Sequence, residues 1–387
     1  MRKDYNSIVV GCGFAGAVVA RELAERGEEK VLILEKRNHI AGNCYDVCDK
    51  DGVLIHKYGP HIFHTNIERV YQYLSRFTEW YDYSHEVVAN VNGQMIPVPF
   101  NLNTLGMVYD KEMAESLEKK LIETFGEGSR VPILKLMEQE DEDLKAVAEY
   151  VYQHIFLRYT MKQWGQKPEE ISPEVTGRVP VLLSRDNRYF QDTYQGMPLH
   201  GYTPLVQEML SHPNIDIVLG ADAKDYLKLE NGDIYFQEEL FKGKVIYTGP
   251  LDEFFNCCYG RLPYRSLRFE FEHLPVDSYQ EKAVVNYTVS EDYTRITEFK
   301  KMTGQEIKGA TTIMKEYPIP YTDSEKEIPY YAIINDENLK LYQRYLELVK
   351  EYPGFILAGR LADYKYYNID AIVDRALTLA DKLILDK

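Results

Sequence analysis

One stretch near the N-terminus constrains the fold more than any other. The apolar run Ser7-Ile8-Val9-Val10 ends at Gly11-Cys12-Gly13-Phe14-Ala15-Gly16. Gly-x-Gly-x-x-Gly is common by itself, but here it follows a run of buried-strand type and opens a segment with Ala17, Ala20, Leu23 and Ala24 at helical spacing. Gly27 stops that helix, and Val31-Leu32-Ile33-Leu34-Glu35 reads as a second strand. The result is a βαβ unit built to hold a dinucleotide. Gly11 allows the tight turn, Gly13 lets backbone amides approach a pyrophosphate, Gly16 lets the helix pack closely, and the Glu35 carboxylate can accept from both ribose hydroxyls.

The motif leaves FAD and NAD open. Glu35-Lys36-Arg37 followed by Ala41-Gly42-Asn43 looks like the extended flavoprotein signature, a second glycine turn that NAD domains usually lack. That turn begins with Ala41, whose methyl is tolerable unless the turn needs positive φ. Among 387 residues, 45 Lys+Arg against 61 Asp+Glu leave a net charge of −16, so the chain lacks the basic face of a nucleic-acid or anionic-membrane binder. Phosphate must then meet a local cluster of positive charge. Five cysteines, Cys12, Cys44, Cys48, Cys257 and Cys258, form neither a disulfide framework nor a zinc-finger pattern, and no segment approaches 18 apolar residues. The expectation is reduced thiols, a cytoplasmic location, no metal and no membrane insertion.

Beyond the βαβ unit, Val87, Ala89 and Val91 alternate up to Asn92-Gly93, a hairpin with a type I′ turn. From Leu105 to Trp164 the pattern is helical, with Leu144, Val147, Val151 and Ile155 forming an apolar stripe. Pro168, Pro173, Gly177 and Pro180 break up 165–183, which reads as a loop that moves. Short strand-like runs return at Ile215–Leu219, Ile234–Phe236, Val245–Thr248, Ser266–Glu272, Ala283–Thr288 and Thr311–Glu316. Gly354–Arg360 holds another buried strand, and Asn368 caps a final helix through Ile372, Ala376, Leu379 and Leu383.

Further motifs lie among these elements: His56-x-Tyr58-Gly59-Pro60-His61-Ile62-Phe63-His64-Thr65, Val91-Asn92-Gly93-Gln94, Tyr293-Thr294-Arg295-Ile296-Thr297-Glu298 and Gly359-Arg360-Leu361. In this order and at these separations the chain resembles bacterial UDP-galactopyranose mutases over essentially its whole length. The resemblance implies an α/β fold: a Rossmann-like FAD-binding domain (1–85, 205–255 and 335–387), an inserted helical bundle (104–185) and a twisted antiparallel β-sheet domain (86–103, 186–204 and 256–334). It implies a homodimeric isomerase that interconverts UDP-galactopyranose and UDP-galactofuranose and supplies galactofuranose for cell-surface polysaccharide. Reduced FAD would join its N5 to galactose C1 while UDP is away, the reductant being NAD(P)H or another cellular donor.

Carried over by motif, the substrate contacts implied are His85, Phe156, Tyr159, Thr160, Trp164, Arg178, Tyr189, Asn286, Arg295, Tyr330, Tyr331 and Tyr366. The cofactor contacts are Gly11, Gly13, Phe14, Gly16, Glu35, Lys36, Arg37, Gly42, Asn43, His61, Ile62, Arg360, Tyr367, Asn368 and Ile369. His85 stands where some relatives carry Asn near the uracil, and Asn368 where some carry Asp. The catalytic set is Arg178, Arg295, His61 and His64. Two guanidiniums bind a diphosphate bidentately, and Arg178 and Arg295 would supply the positive field the net charge denies. His61 and His64 are expected to lie against the flavin without acting as acid or base, with the backbone of their segment bonding the N5 region. Phe156, Tyr159, Thr160 and Gln163 share a helical face on which uracil could stack, and 32 tyrosines suit a flat, hydrogen-bonding pocket. Arg178 should swing in when a diphosphate arrives. Two rivals share the nucleotide motif: an amine-oxidase-like flavin oxidoreductase and an inactive UDP-sugar-binding protein.

Overall fold

The computed structural model describes residues 4–157, 180–289, 291–322 and 327–386. Its first sheet has five parallel strands in the spatial order Ile215–Leu219, Val31–Glu35, Ser7–Val10, Lys244–Tyr247, Phe355–Leu357. Both faces of the inner strands Ser7–Val10 and Val31–Glu35 are covered, so these read as apolar runs, whereas the edge strand Ile215–Leu219 carries Asp216 and leaves Ile217 and Leu219 exposed. Val9, Ile33 and Ile246 join the core on one side, while Ile8, Val10, Leu32, Leu34 and Val245 join the core on the other. Helix Phe14–Glu25 packs on the first side and is itself covered by the last helix, Ile369–Leu385. Asn368 occupies the N-cap position of that last helix with extended backbone, but its side chain makes no capping bond.

The second sheet has seven strands in the order Tyr331–Ala332, Tyr264–Leu274, Thr311–Pro320, Arg295–Glu298, Val284–Tyr287, Val87–Val91, Gln94–Val98. All neighbours are antiparallel except Val284–Tyr287 with Val87–Val91. The hairpin turn has Asn92 at φ +53° and Gly93 at φ +91°, as the Asn-Gly dipeptide predicts. One expected member is missing. Tyr194–Pro198, assigned above to this sheet with 186–204, pairs instead with Phe63–Thr65 and Trp80–Tyr81. Gly196 permits that pairing, since a Cβ there would lie 2.9 Å from the Tyr81 carbonyl oxygen.

The helical layer comprises Leu102–Val108, Lys111–Phe125, Ile133–Met137 and Glu142–Val151, with Leu117, Leu121, Leu144, Val147 and Val151 in one apolar cluster. Asn101, Asp110 and Asp141 cap three of these helices through side-chain oxygens that accept backbone N–H bonds. After Val151 the chain forms a π-helical turn, Tyr152–Leu157, packed on strand Val87–Val91. The face read for 156–163 lies outside the described residues, which end here at Leu157. At the far end of the expected loop, Val181–Leu182 is not loop but a strand pairing with Arg130–Val131, and the Leu182 N–H donates to the Phe100 carbonyl (2.7 Å).

Asp46 ties two parts of the nucleotide domain together. It is 3% exposed, and its two oxygens accept from the N–H groups of Tyr202 (2.6 Å) and Thr203 (2.8 Å) at the start of helix Tyr202–Leu210. Glycine at position 201 makes room, because a Cβ there would sit 2.6 Å from Asp46 Oδ2. Burial raises the Asp46 pKa, and these bonds act against that rise. Asp46→Ala should lower unfolding stability by about 2 kcal/mol, read from urea titration, since it strands two buried N–H groups at a helix N-terminus. A loss below about 0.5 kcal/mol would mean that water replaces the carboxylate.

Candidate active site

The glycine-rich turn is assembled from contacts that leave no room for side chains. Gly11 has φ +99°, and a Cβ there would sit 2.0 Å from Thr248 Oγ1, while a Cβ on Gly16 would sit 2.0 Å from the Gly11 carbonyl oxygen. The second turn touches the first: a Cβ on Gly42, at φ +55°, would lie 2.8 Å from Gly13 Cα. Ala41 itself sits at φ +69°. The conformation its methyl resists is therefore the one adopted, at a cost of about 1 kcal/mol.

Glu35 is 6% exposed, and each carboxylate oxygen takes one backbone N–H, from Cys12 (2.7 Å) and Arg37 (2.9 Å). One lone-pair direction per oxygen remains, which suits two neighbouring hydroxyls. The Arg37 guanidinium lies over the Tyr58 ring (4.4 Å to the centroid) and donates from Nη2 to Asn43 Oδ1 (2.9 Å), while its buried Nη1 has no partner among the described residues. An unpaired cationic donor beside a cradle without side chains fits a dinucleotide pyrophosphate. The expected contribution of Lys36 needs correction: its ammonium is exposed and turned to Asp222 (3.2 Å). The Phe14 ring is buried edge-on against Tyr202 in the core, so only its backbone belongs to the cradle.

Arg295 lies on the seven-stranded sheet and donates from Nη2 to Glu316 Oε1 (2.9 Å), across the ladder from it. On its other side Asn286 is the cross-strand partner. One rung of the sheet thus runs Phe269, Glu316, Arg295, Asn286, Ala89, Ile96. Glu316 is 1% exposed, and it holds the guanidinium in place. A second cation, Arg360, lies over the Tyr366 ring (4.7 Å) and near that of Tyr331 (5.9 Å), and donates from Nη2 to the Tyr367 carbonyl (2.6 Å). Tyr331 and Tyr366 stack with centroids 6.0 Å apart, and Tyr330 packs edge-on to Phe269. The Tyr367 hydroxyl donates to Asp363 (3.1 Å).

The segment between these groups carries the histidines. His61 donates its backbone N–H to His56 Nδ1 (3.1 Å), and its own Nδ1 lies 2.9 Å from the Gly59 carbonyl oxygen. Gly59, at φ +93°, lies against Phe269 and Glu316. His64 pairs with Asp192 (3.0 Å) and stacks on Phe190 at 3.6 Å. His85 Nδ1 meets the Tyr83 hydroxyl (2.8 Å), and its ring packs edge-on to Tyr189 and parallel to Phe190. Burial pushes the pKa of His56, His61 and His85 down to about 3, and the charges of Arg360 and Arg295 act on His61, and that of Arg295 on His85, in the same direction. These rings are neutral at physiological pH, which rules them out as cationic anchors for phosphate.

The structure therefore brings His61, Ile62, His64, His85, Tyr189, Asn286, Arg295, Tyr330, Tyr331, Arg360 and Tyr366 to one region. Tyr159, Thr160, Gln163, Trp164 and Arg178 lie outside the described residues, as does the side chain of Phe156. Sequence reasoning named Tyr58 only within its motif and missed Glu316, Phe190 and Asp192. Of these three only Glu316 left a local signal, as an acid at the end of the strand run Thr311–Glu316. Elsewhere, Asp49, Asp51 and His273 place one ligand atom each within 4.8 Å of one another. The Asp49 oxygens already accept bonds from Asp51, Val53 and Thr312.

Comparison with known proteins agrees with this geometry. Residues 154–366 match the family model described as UDP-galactopyranose mutase, and residues 9–77 match the NAD(P)-binding Rossmann-like domain. The chain belongs to the UDP-galactopyranose mutase family. It is 37% identical over 381 residues to a probable UDP-galactopyranose mutase of Klebsiella pneumoniae, covering 98% of this chain and 94% of that one. At nearly the same distance, 36% over 380 residues, stands a dTDP-fucopyranose mutase of Escherichia coli, with 97% and 98% covered. Among solved structures, a reduced UDP-galactopyranose mutase superposes with a TM-score of 0.72 over 99% of this chain and 94% of that one, at 15% identity, a likeness of fold.

Two outcomes follow from the cradle and the histidines. Gly42→Ala should weaken flavin binding at least tenfold, roughly 1.4 kcal/mol, because the new Cβ meets Gly13; flavin retention during dialysis reads this out. His56, His61 and His85 should show no titration between pH 5 and 8 in NMR of the imidazole C–H signals. Their native pKa lies below the unfolded value near 6.5, so each contributes stability that is full above about pH 6.5 and lost as pH falls toward 3. A ring titrating near 6.5 in the folded protein would show that it is open to solvent.

Proposed function

We propose that this chain is an isomerase that interconverts UDP-galactopyranose and UDP-galactofuranose with noncovalently bound FAD in its reduced form. The observation that carries this reading is the rung Glu316–Arg295–Asn286 facing the Arg360–Tyr331–Tyr366 stack, beside a cradle shaped for a dinucleotide. When bound and reduced, FAD supplies a nucleophilic nitrogen for C1 of the sugar. Gly11, Gly13, Glu35, Arg37, Gly42 and Asn43 would hold its ADP portion, while Ile62, His61 and the N-terminus of the last helix at Asn368 and Ile369 would flank its ring.

The chain's own residues must hold the sugar nucleotide while the anomeric bond breaks. Arg295 takes a diphosphate oxygen, and Glu316 keeps its guanidinium from turning away. Negative charge builds on that oxygen as UDP departs, so a fixed guanidinium binds the departing group more strongly than the ground state. Tyrosine hydroxyls at 331 and 366 add neutral donors that need no change of protonation. Arg178 is proposed as the second guanidinium. Holding the departed UDP in place keeps its phosphate oxygen positioned to return to C1 once the sugar has opened and reclosed through its 4-hydroxyl. No side-chain nucleophile is required. A homodimer in the cytoplasm, reduced by NAD(P)H or another donor and feeding galactofuranose to cell-surface polysaccharide, completes the proposal from family likeness.

The E. coli relative favours a second reading, a dTDP-linked 6-deoxyhexose as substrate, and the two are separated by offering both nucleotides. Incubation of UDP-galactofuranose with chemically reduced protein should give UDP-galactopyranose many times per reducing equivalent. One turnover per equivalent would point to an oxidoreductase, and binding without conversion to an inactive sugar-nucleotide receptor. Arg295→Ala should lower kcat/KM by about 10²-fold or more, roughly 3 kcal/mol, with flavin absorbance unchanged. Near wild-type activity would remove Arg295 from the diphosphate.

A further inference from the structure

We infer that Thr288 acts with Asn286 to hold one hydroxyl of the substrate's hexose, making the site select against a sugar that lacks it. This rests on the sugar-nucleotide reading above and adds a specificity-determining residue to it. Asn286 lies on the strand Val284–Tyr287 and Thr288 follows that strand directly, so an extended backbone continued by one residue turns both side chains to the same face of the sheet. They are 7% and 1% exposed. Among the described residues neither Asn286 Oδ1 nor Thr288 Oγ1 finds a hydrogen-bond partner: Ala89 stands opposite Asn286 on one neighbouring strand, Arg295 on the other donates to Glu316, and Val91, Val284, Val289, Tyr152 and Ile155 belong to the apolar cluster there. Leaving such groups unpaired is destabilising, and two of them side by side mark a place where the missing partner arrives with a ligand.

The chemistry of that partner follows from the two atoms. An amide oxygen only accepts and a threonine hydroxyl can donate, so a single ligand hydroxyl satisfies both, giving its proton to Asn286 and accepting from Thr288. Position argues for the hexose. Arg295 faces Asn286 directly across the ladder, at the strand spacing of about 4.8 Å. A sugar joined to a diphosphate at Arg295 begins one bond from the phosphate oxygen, so its hydroxyls fall beside the next strand. Thr297 provides the contrast. It is also buried and unpartnered on the same face, but its rung neighbours are Met314 and Val284, away from the charged rung.

The test uses the reduced holoenzyme with UDP-galactose and its 2-deoxy, 3-deoxy and 6-deoxy analogues, leaving out the 4-position because its oxygen closes the furanose. Wild type should disfavour one analogue by roughly 10²-fold or more in kcat/KM. Thr288→Val should lose about tenfold or more on UDP-galactose and on the other two analogues, but less than about threefold on that one. Thr288→Ser should restore wild-type selectivity, and Thr297→Val should leave it unchanged. Flavin absorbance and Tm accompany each variant, and if the valine variant loses its flavin, Thr288→Ala is read by the same criterion. Equal losses on all four sugars, or no loss on any, would overturn the role of Thr288 while the isomerase reading stands. A reduced wild type that converts none of these sugars overturns both.

Discussion

The close approach of two glycine turns governs the geometry of this molecule. Gly16 sits on the Gly11 carbonyl and Gly42 sits on Gly13, so helix Phe14–Glu25 and the loop after Glu35 meet at backbone distance. Any side chain at these points would push apart the first strand, the first helix and the second turn. With them in contact, Glu35 reaches back to the Cys12 N–H and forward to that of Arg37, and Arg37 is fixed over Tyr58. Tyr58 opens the segment that carries Gly59 and His61 to the second sheet. A backbone constraint at residues 11–16 is thus passed on to the edge of the arginine and tyrosine cluster.

The second sheet answers a different physical problem. An acidic chain must present cations to a diphosphate, and a lone arginine on a strand would fold back on a neighbouring carboxylate wherever one lay in reach. Here that carboxylate is part of the design. Glu316 is buried beneath Arg295 and fixes its direction, so the ion pair contributes orientation more than stability, as buried pairs commonly do. Arg360 is oriented by other means, through the Tyr367 carbonyl and two tyrosine rings. Burial holds the pKa of His56, His61 and His85 down, and the nearby arginines act in the same direction on His61 and His85.

Legibility in the sequence followed how local the cause was. The glycines at 11, 13, 16 and 42 could be read because each has a requirement set by its own backbone, and Asn92-Gly93 could be read for the same reason. The strand at 194–198 was placed only within the range of the sheet domain, and its partners, 63–65 and 80–81, are set by which edge is free in three dimensions. The π-helical turn at 152–157 escaped because packing on strand Val87–Val91 selects it, and periodicity carries no trace of such a choice. The Arg295–Glu316 pairing spans 21 residues and is made by register, so the arginine was found through its motif while its partner was not. Thr288 is one of several threonines in strand-like sequence, and what sets it apart is an orphaned hydroxyl two residues from the orphaned amide oxygen of Asn286.

The strand order of the parallel sheet has a consequence for how the chain comes into being. Ser7–Val10 lies at the centre of that sheet, yet one of its two neighbours, Lys244–Tyr247, is made more than two hundred residues later, and the helix that covers Phe14–Glu25 is made last of all. On the ribosome the first βαβ unit therefore waits with an open apolar edge and an uncovered helix while most of the protein is synthesised. Loop-closure entropy makes such late, distant pairings slow, and an open strand edge invites association with other nascent chains. The helical layer between residues 102 and 157, built from local contacts and well-capped helices, can fold during that interval. Dependence on chaperones would then come from the connectivity of the nucleotide domain.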